Sequence, residues 1–135
     1  KMLDEELIRL FMEGDLGTQK LINLVAILRG DRLFFEFLFE VYREKAILGQ
    51  PELEDQDVNV FFRNKENQSE LVENWNDSTK RKLKNCYLLF MADTGLLQVE
   101  KKVRSITTPI VDSRLAAYLE RSGDHALLVA ISGVA

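Results

Sequence analysis

The side chains best suited to chemistry in this sequence are cations and hydroxyls that gather in two short stretches. One stretch follows the turn at 76–78 and the other begins at residue 101, and together they hold Ser78, Thr79, Lys80, Arg81, Lys82, Lys84, Lys101, Lys102 and Arg104. Such side chains bind phosphate oxygens, and Arg and Lys also hydrogen-bond to guanine. Together with the order of elements described below, their placement predicts contact with double-stranded DNA, and the alternative is a solvated basic surface.

Few residues are available for catalysis or for a metal site. The chain has one cysteine, Cys86, and one histidine, His125, which are far apart in sequence. Cys/His nucleophiles and zinc sites with histidine or cysteine ligands therefore lack the residues they need. The acidic run at 52–57 lacks the glycine and terminal glutamate of a calcium loop. We expect no catalytic residue, no metal and no cofactor, and hence a protein that is not an enzyme.

Charge divides the chain more sharply than its net value of −4 indicates. Residues 1–77 hold nine Lys/Arg against seventeen Asp/Glu, whereas residues 78–135 hold nine against five. An asymmetry of this kind suggests that one part of a chain contacts a polyanion. No apolar run reaches the roughly 20 residues that cross a bilayer. A lone cysteine and the lack of a secretory pattern favour the cytoplasm and no membrane partner.

The first half of the sequence has helical periodicity. Apolar residues predict a helix that ends near Gly14, and a second that is capped by Thr18 and closed by Gly30. Asp31 is predicted to cap a third helix from 32 to about 47, whose phenylalanines face the core. Its one polar edge carries Glu36, Glu40 and Glu44, which we interpret as a solvated stripe.

A break at 49–51 places Pro51 at the start of the next helix, and polar residues 64–68 are interpreted as a linker. This linker divides a helical core segment, 1–66, from a winged helix-turn-helix-like segment, 67–135, which we expect to pack as one compact unit. The predicted fold is all-α, a helical bundle with a C-terminal winged helix-turn-helix-like unit and a small β-hairpin.

The second segment has a specific order of elements. A short helix over 69–75 ends in Trp75, which we expect to be a buried packing residue, with a base-stacking platform as the alternative. A long helix follows from Thr79 to about Thr94, with Cys86 on its packed face and Gly95 as its left-handed terminator. A hairpin over 97–106 with a basic tip comes next. This order is typical of a winged helix-turn-helix, in which the first turns of the long helix enter the major groove.

The residues at 75–83, together with 88–97, resemble the C-terminal half of BrxA, a small helical protein of bacteriophage-exclusion (BREX) systems. The tract 33–43 is similar to the family's middle helix, and the resemblance runs from about Leu7 to Leu119. Its most specific part is the turn Trp75 to Thr79 that leads to Gly95-Leu96-Leu97.

The resemblance implies a cytoplasmic, non-catalytic DNA-binding accessory of a phage-defence complex. Members of the family carry an additional N-terminal helical segment, and the resemblance implies that this segment is missing here, consistent with the start at Lys1. The alternative is a helical adaptor whose acidic residues 1–77 dock onto other BREX proteins, such as a methyltransferase or an ATPase, without binding DNA. We expect an adaptor to show no salt-dependent affinity for duplex DNA.

Overall fold

The computed structural model describes residues 4–68 and 74–132. In chain order the elements are α1 (Glu5–Glu13), α2 (Leu16–Gly30), α3 (Arg32–Phe37), a π-helical turn (Leu38–Tyr42), α4 (Arg43–Leu48), α5 (Asp55–Gln68), α6 (Asp77–Asp93), β1 (Leu97–Glu100), β2 (Val103–Ile106), α7 (Ser113–Arg121) and α8 (His125–Ser132). The chain is mainly helical with a small antiparallel hairpin, which confirms the predicted fold class.

Short polar side chains begin the helices. Asp31 caps α3 through the backbone N–H of Phe34, as predicted, and Asn76 caps α6 in the same way. The predicted cap of α2 is wrong, because Asp15 accepts the N–H of Thr18 at 2.8 Å and Thr18 is itself buried inside the helix. Both residues are good N-caps. The helix begins at the earlier of the two, and the Thr18 side chain packs inward.

The hydrophobic core is formed by helices from both ends of the chain. The π-helical turn lies between α3 and α4, and α8 packs against it. The ring of Tyr87 on α6 stacks on Phe34 of α3, with centroids 4.3 Å apart and planes 2° apart. Phe34 and Phe37 are buried as expected, and the Tyr87 hydroxyl donates to the Asp31 carboxylate. These contacts fix the position of α6 on the rest of the molecule.

The hairpin pairs β1 with β2 in the register Leu97↔Ile106 to Glu100↔Val103. The preceding helix ends as predicted, because Gly95 has a φ of +87° and the N–H of Leu96 donates back to the Met91 carbonyl. Pro51 does not begin a helix. The segment 51–53 instead lies along β2, where Leu53 donates to the Arg104 carbonyl and Ile106 donates to the Pro51 carbonyl. It therefore adds a short third strand-like segment to the hairpin.

The polar run 64–68 is helical rather than a linker, since it forms the last part of α5. Lys65 explains why: its side chain turns inward and its ammonium lies 2.9 Å from Glu36 and 3.0 Å from Glu40. The interpretation of Glu36 and Glu40 as a purely solvated stripe is wrong for the same reason. Polar residues here hold α5 against α3 and the π-helical turn.

Residues 69–73 of the helix predicted at 69–75 lie outside the described residues. Trp75 is partly buried in the turn that precedes α6, and Cys86 is exposed rather than on the packed face of α6. In the part of the chain that the structure describes, no helix combines the length and apolarity that a bilayer crossing requires.

Candidate nucleic-acid interface

The predicted basic residues of α6 divide into two groups that differ in their contacts. Lys80 forms an ion pair with Glu66 of α5 at 2.5 Å, and its side chain is only 13 % exposed. Lys84 donates to the amide oxygen of Asn59 at 2.9 Å and lies over the ring of Phe62. These two lysines therefore hold α6 antiparallel to α5, instead of extending into solvent.

Three of the four remaining polar residues at the start of α6 are exposed. Ser78, Arg81 and Lys82 are exposed, and Thr79 is half-buried. Neither Arg81 nor Lys82 forms an ion pair with any residue in 4–68 or 74–132. Lys80 and Lys84 are held against α5, so the solvent-accessible polar surface at the start of the helix is formed mainly by these three exposed side chains. They can contact a ligand without breaking an internal ion pair.

The hairpin shows the same division. Lys101 and Lys102 form its two-residue tip and are exposed, and both have positive φ angles, of 51° and 68°. Arg104, two residues beyond the tip, instead pairs with Asp55 at 2.5 Å and donates to the Leu53 carbonyl. The Arg104 side chain is 18 % exposed. Arg104 thus secures the hairpin to the start of α5, while the tip lysines project from it.

The hairpin and the start of α6 are both held against the same helix, α5. Arg104 is held at Asp55 and Lys80 is held at Glu66, so the hairpin and the start of α6 lie toward opposite ends of α5. The two anchors on α5 are eleven residue steps apart, a distance of roughly 16 Å along the helix. A groove of about 440 Å³ between α5 and α6 runs between them. Its walls carry both signs of charge, from Asp55, Glu66 and Asp77 to Lys80 and Arg81.

Asn85 belongs to the same surface, although it is not among the residues predicted from sequence. It is exposed on α6, one turn after Arg81, and it lines the groove. The only signal in the sequence is its spacing of four residues from Arg81, which places both side chains on one side of the helix. An uncharged amide in a row of lysines does not stand out as a phosphate ligand.

Other residues with chemical potential are dispersed. His125 pairs with Glu120 at 2.6 Å on an exposed stretch of α7 and α8. Within 4–68 and 74–132, no group of three or more histidine, cysteine or acidic residues is arranged to hold a metal ion. Burial raises the pKa of Tyr87 above its ordinary value, and the nearby Asp31 carboxylate raises it further, so this phenol stays protonated. Its role in the structure is packing.

Comparison with known proteins gives the family. The family model of BrxA matches residues 1–123. The BREX protein BrxA of Bacillus cereus (strain H3081.97) is 42 % identical over 124 residues, which are 92 % of this chain and 62 % of that protein. The chain therefore spans less than two thirds of that relative's length.

A solved structure has the same fold. The crystal structure of an uncharacterized protein from Magnetospirillum magneticum has a TM-score of 0.85, and the match covers 98 % of this chain and 69 % of that one. Its 19 % sequence identity restricts this likeness to the fold. The family match, by contrast, confirms the resemblance that the residues around Trp75 and Gly95 carry, and this chain belongs to the BrxA family.

Proposed function

We propose that this chain is a non-enzymatic DNA-binding module of a BREX phage-defence system and acts in the cytoplasm. The observation that carries the proposal is the exposure of four cations, Arg81, Lys82, Lys101 and Lys102, at the start of α6 and at the hairpin tip. Their neighbours Lys80, Lys84 and Arg104 are held by internal contacts. Exposed cations are the ones that can exchange counterions for phosphates.

The order of the surrounding elements supports this use. Helices α3 and α4, the segment 51–53, α5, α6 and the hairpin follow one another as in a winged helix-turn-helix, with 51–53 beside β2. In that motif the recognition helix, which corresponds to α6 here, enters the major groove, and the hairpin reaches the DNA backbone. The unit we propose begins at Arg32, earlier than the boundary at 67 expected from sequence. The two anchors on α5 lie roughly 16 Å apart, and the major groove is about 12 Å wide. This separation lets α6 lie in the groove while the hairpin reaches the adjacent backbone.

The backbone of the hairpin tip also supports a role for its lysines. A two-residue hairpin turn with positive φ at both positions normally takes Asn-Gly, and a residue with a side chain costs roughly 1–2 kcal/mol in the left-handed region. Lys101 and Lys102 occupy both positions. We attribute their presence to a need for cations at the tip, because asparagine and glycine would suit the turn better.

Duplex binding by charge variants tests the proposal. We expect Arg81→Gln, Lys82→Gln, Lys101→Gln and Lys102→Gln together to weaken binding to a 20-base-pair duplex at least about tenfold, measured by fluorescence anisotropy. A control replaces two exposed cations elsewhere on the surface by glutamine, Arg9 of α1 and Arg121 of α7, the second of which pairs with Glu6, and we expect it to leave affinity within about twofold. A parent chain that does not bind duplex DNA overturns the proposal.

A second candidate function is a docking adaptor for other BREX components, such as a methyltransferase or an ATPase. A groove of about 340 Å³ between α4 and α5 favours it. Its lining includes two exposed apolar residues, Leu48 (67 % exposed) and Val60 (40 % exposed), and the acidic residues Glu40 and Glu44. If the chain is an adaptor, the parent should capture a partner protein and the variant Leu48→Lys should no longer hold it. The parent should also show no salt-dependent binding to DNA.

A further inference from the structure

The exposed side of α6 that includes Arg81 carries an uncharged polar residue as well as cations. Among its exposed residues are two cations that suit phosphates, Arg81 and Lys82, and an amide that carries no charge, Asn85. Arg81 and Asn85 are both exposed and lie four residues apart, so they share one side of the helix, where both line its open groove with α5. The four-residue step advances about 6 Å along the helix, roughly the rise of two base-pair steps.

The chemistry of these two side chains matches base edges. An arginine donates two hydrogen bonds to O6 and N7 of guanine, and an asparagine pairs with adenine in a bidentate way, accepting from N6 and donating to N7. An asparagine adds little to a phosphate contact, because it brings no charge. Lys80 and Lys84, which would surround Asn85 with positive charge, are instead drawn toward Glu66 and Asn59 of α5.

We propose that Asn85 is a base-reading residue: it recognises an adenine in the major groove, beside a guanine recognised by Arg81, so that this chain prefers particular sequences. The inference rests on the proposed function and deepens it, since Lys82, Lys101 and Lys102 supply affinity while Asn85 supplies discrimination. Leu89 continues the exposed face one turn later and is 69 % exposed, where an apolar side chain can meet a thymine methyl.

Selection of bound sequences from a random duplex library tests this assignment. We expect the parent to enrich a motif with an adenine one or two steps from a guanine, and to bind that motif roughly 5- to 150-fold more tightly than its variants at the adenine position. Asn85→Ala loses the preference at that position only. Asn85→Asp shifts the preferred base there to cytosine, whose N4 amino group donates to a carboxylate. The control Asn64→Ala, an exposed asparagine of α5, keeps the parent's motif.

The outcomes separate the two proposals. If the parent binds duplexes but enriches no motif, or if Asn85→Ala retains the adenine preference, the assignment of Asn85 is wrong and the DNA-binding proposal stands. If the parent binds no duplex at any salt concentration, both fail. Circular dichroism of each variant verifies folding, which we expect to be unchanged because Asn85 is exposed within α6.

Discussion

Two charged regions of this molecule use the same kinds of side chain in opposite ways. Around Lys65, which is 7 % exposed, cation and carboxylates meet inside the contact between α5 and α3. At the start of α6 and at the hairpin tip, Arg81, Lys82, Lys101 and Lys102 point into solvent. The first arrangement is costly to break, because a buried charge that loses its partners destabilises the fold. The second leaves charge available, and so contact with a ligand is expected there.

The difference shows that charge counts along a sequence do not locate a binding surface. Residues 1–77 look like a uniformly acidic surface, yet Glu36 and Glu40 are occupied by Lys65. The stretch at 80–84 looks like a uniformly basic one, yet Lys80 and Lys84 are bound to α5. A binding surface is located by the charged side chains that stay exposed and are not paired within the fold.

The largest effect on stability is expected from removing the partners of Lys65. Replacing Glu36 and Glu40 together by alanine leaves a buried ammonium without a carboxylate, and we expect the free energy of unfolding to fall by about 3 kcal/mol in urea titrations. Glu44→Ala is the control, since Glu44 is exposed and its ion pair is with the neighbouring Arg43. We expect its effect to stay within about 0.5 kcal/mol. Equal effects of the two changes would mean that the Lys65 cluster is not a stabilising one.

The same cluster gives stability a pH dependence. Burial opposes the charge of Glu36, but hydrogen bonds from Arg32 and Lys65 outweigh it and hold the pKa of Glu36 below its ordinary 4.5. Its contribution is therefore present above about pH 4.5 and is lost as pH falls through the lowered pKa. Burial also opposes the charge of Lys65, yet its bonds to Glu36 and Glu40 raise its pKa above 10.5. That contribution is present below about pH 10.5 and is lost as pH rises through the raised pKa.

Urea titrations at pH 3–7 check the acid side. Asp4, Asp15 and Asp112 also have lowered pKa values, so the parent loses stability in acid for several reasons. The informative quantity is the difference from Lys65→Met, which keeps the apolar stem and removes the charge. We expect this variant to lose less stability than the parent between pH 7 and pH 3. An identical loss in both proteins contradicts the coupling of Glu36 to Lys65.

A smaller and opposite effect is expected at the hairpin tip. Lys101→Asn with Lys102→Gly relieves the positive-φ strain and should raise the free energy of unfolding by about 1 kcal/mol, part of the gain being offset by the freedom of glycine in the unfolded chain. DNA affinity should nevertheless fall. Lys101→Gln with Lys102→Gln keeps the strain and removes the charge, so it should weaken DNA binding without the gain in stability. A tip variant that gains stability and retains full affinity would show that these lysines do not bind DNA.

The sequence predicts the elements of this fold better than it predicts their contacts. Periodicity and capping chemistry identify most helices, the turn at Gly95 and the hairpin, because these depend on neighbouring residues. The π-helical turn, the strand-like segment 51–53 and the inward course of Lys65 depend on packing between distant parts of the chain. For the same reason the sequence locates the basic stretches but does not divide them into paired and exposed cations.

The salt dependence of duplex binding tests the central claim, that the exposed cations rather than the paired ones bind DNA. The slope of log affinity against log salt falls by about one unit for each phosphate that the protein no longer neutralises. We expect Arg81→Gln with Lys82→Gln to reduce the parent's slope by about two units. Lys80→Met with Lys84→Met, which removes the same charge from the same helix, should leave the slope nearly unchanged in protein that remains folded. A larger reduction of the slope in the Lys80 and Lys84 variant than in the Arg81 and Lys82 variant would contradict this account.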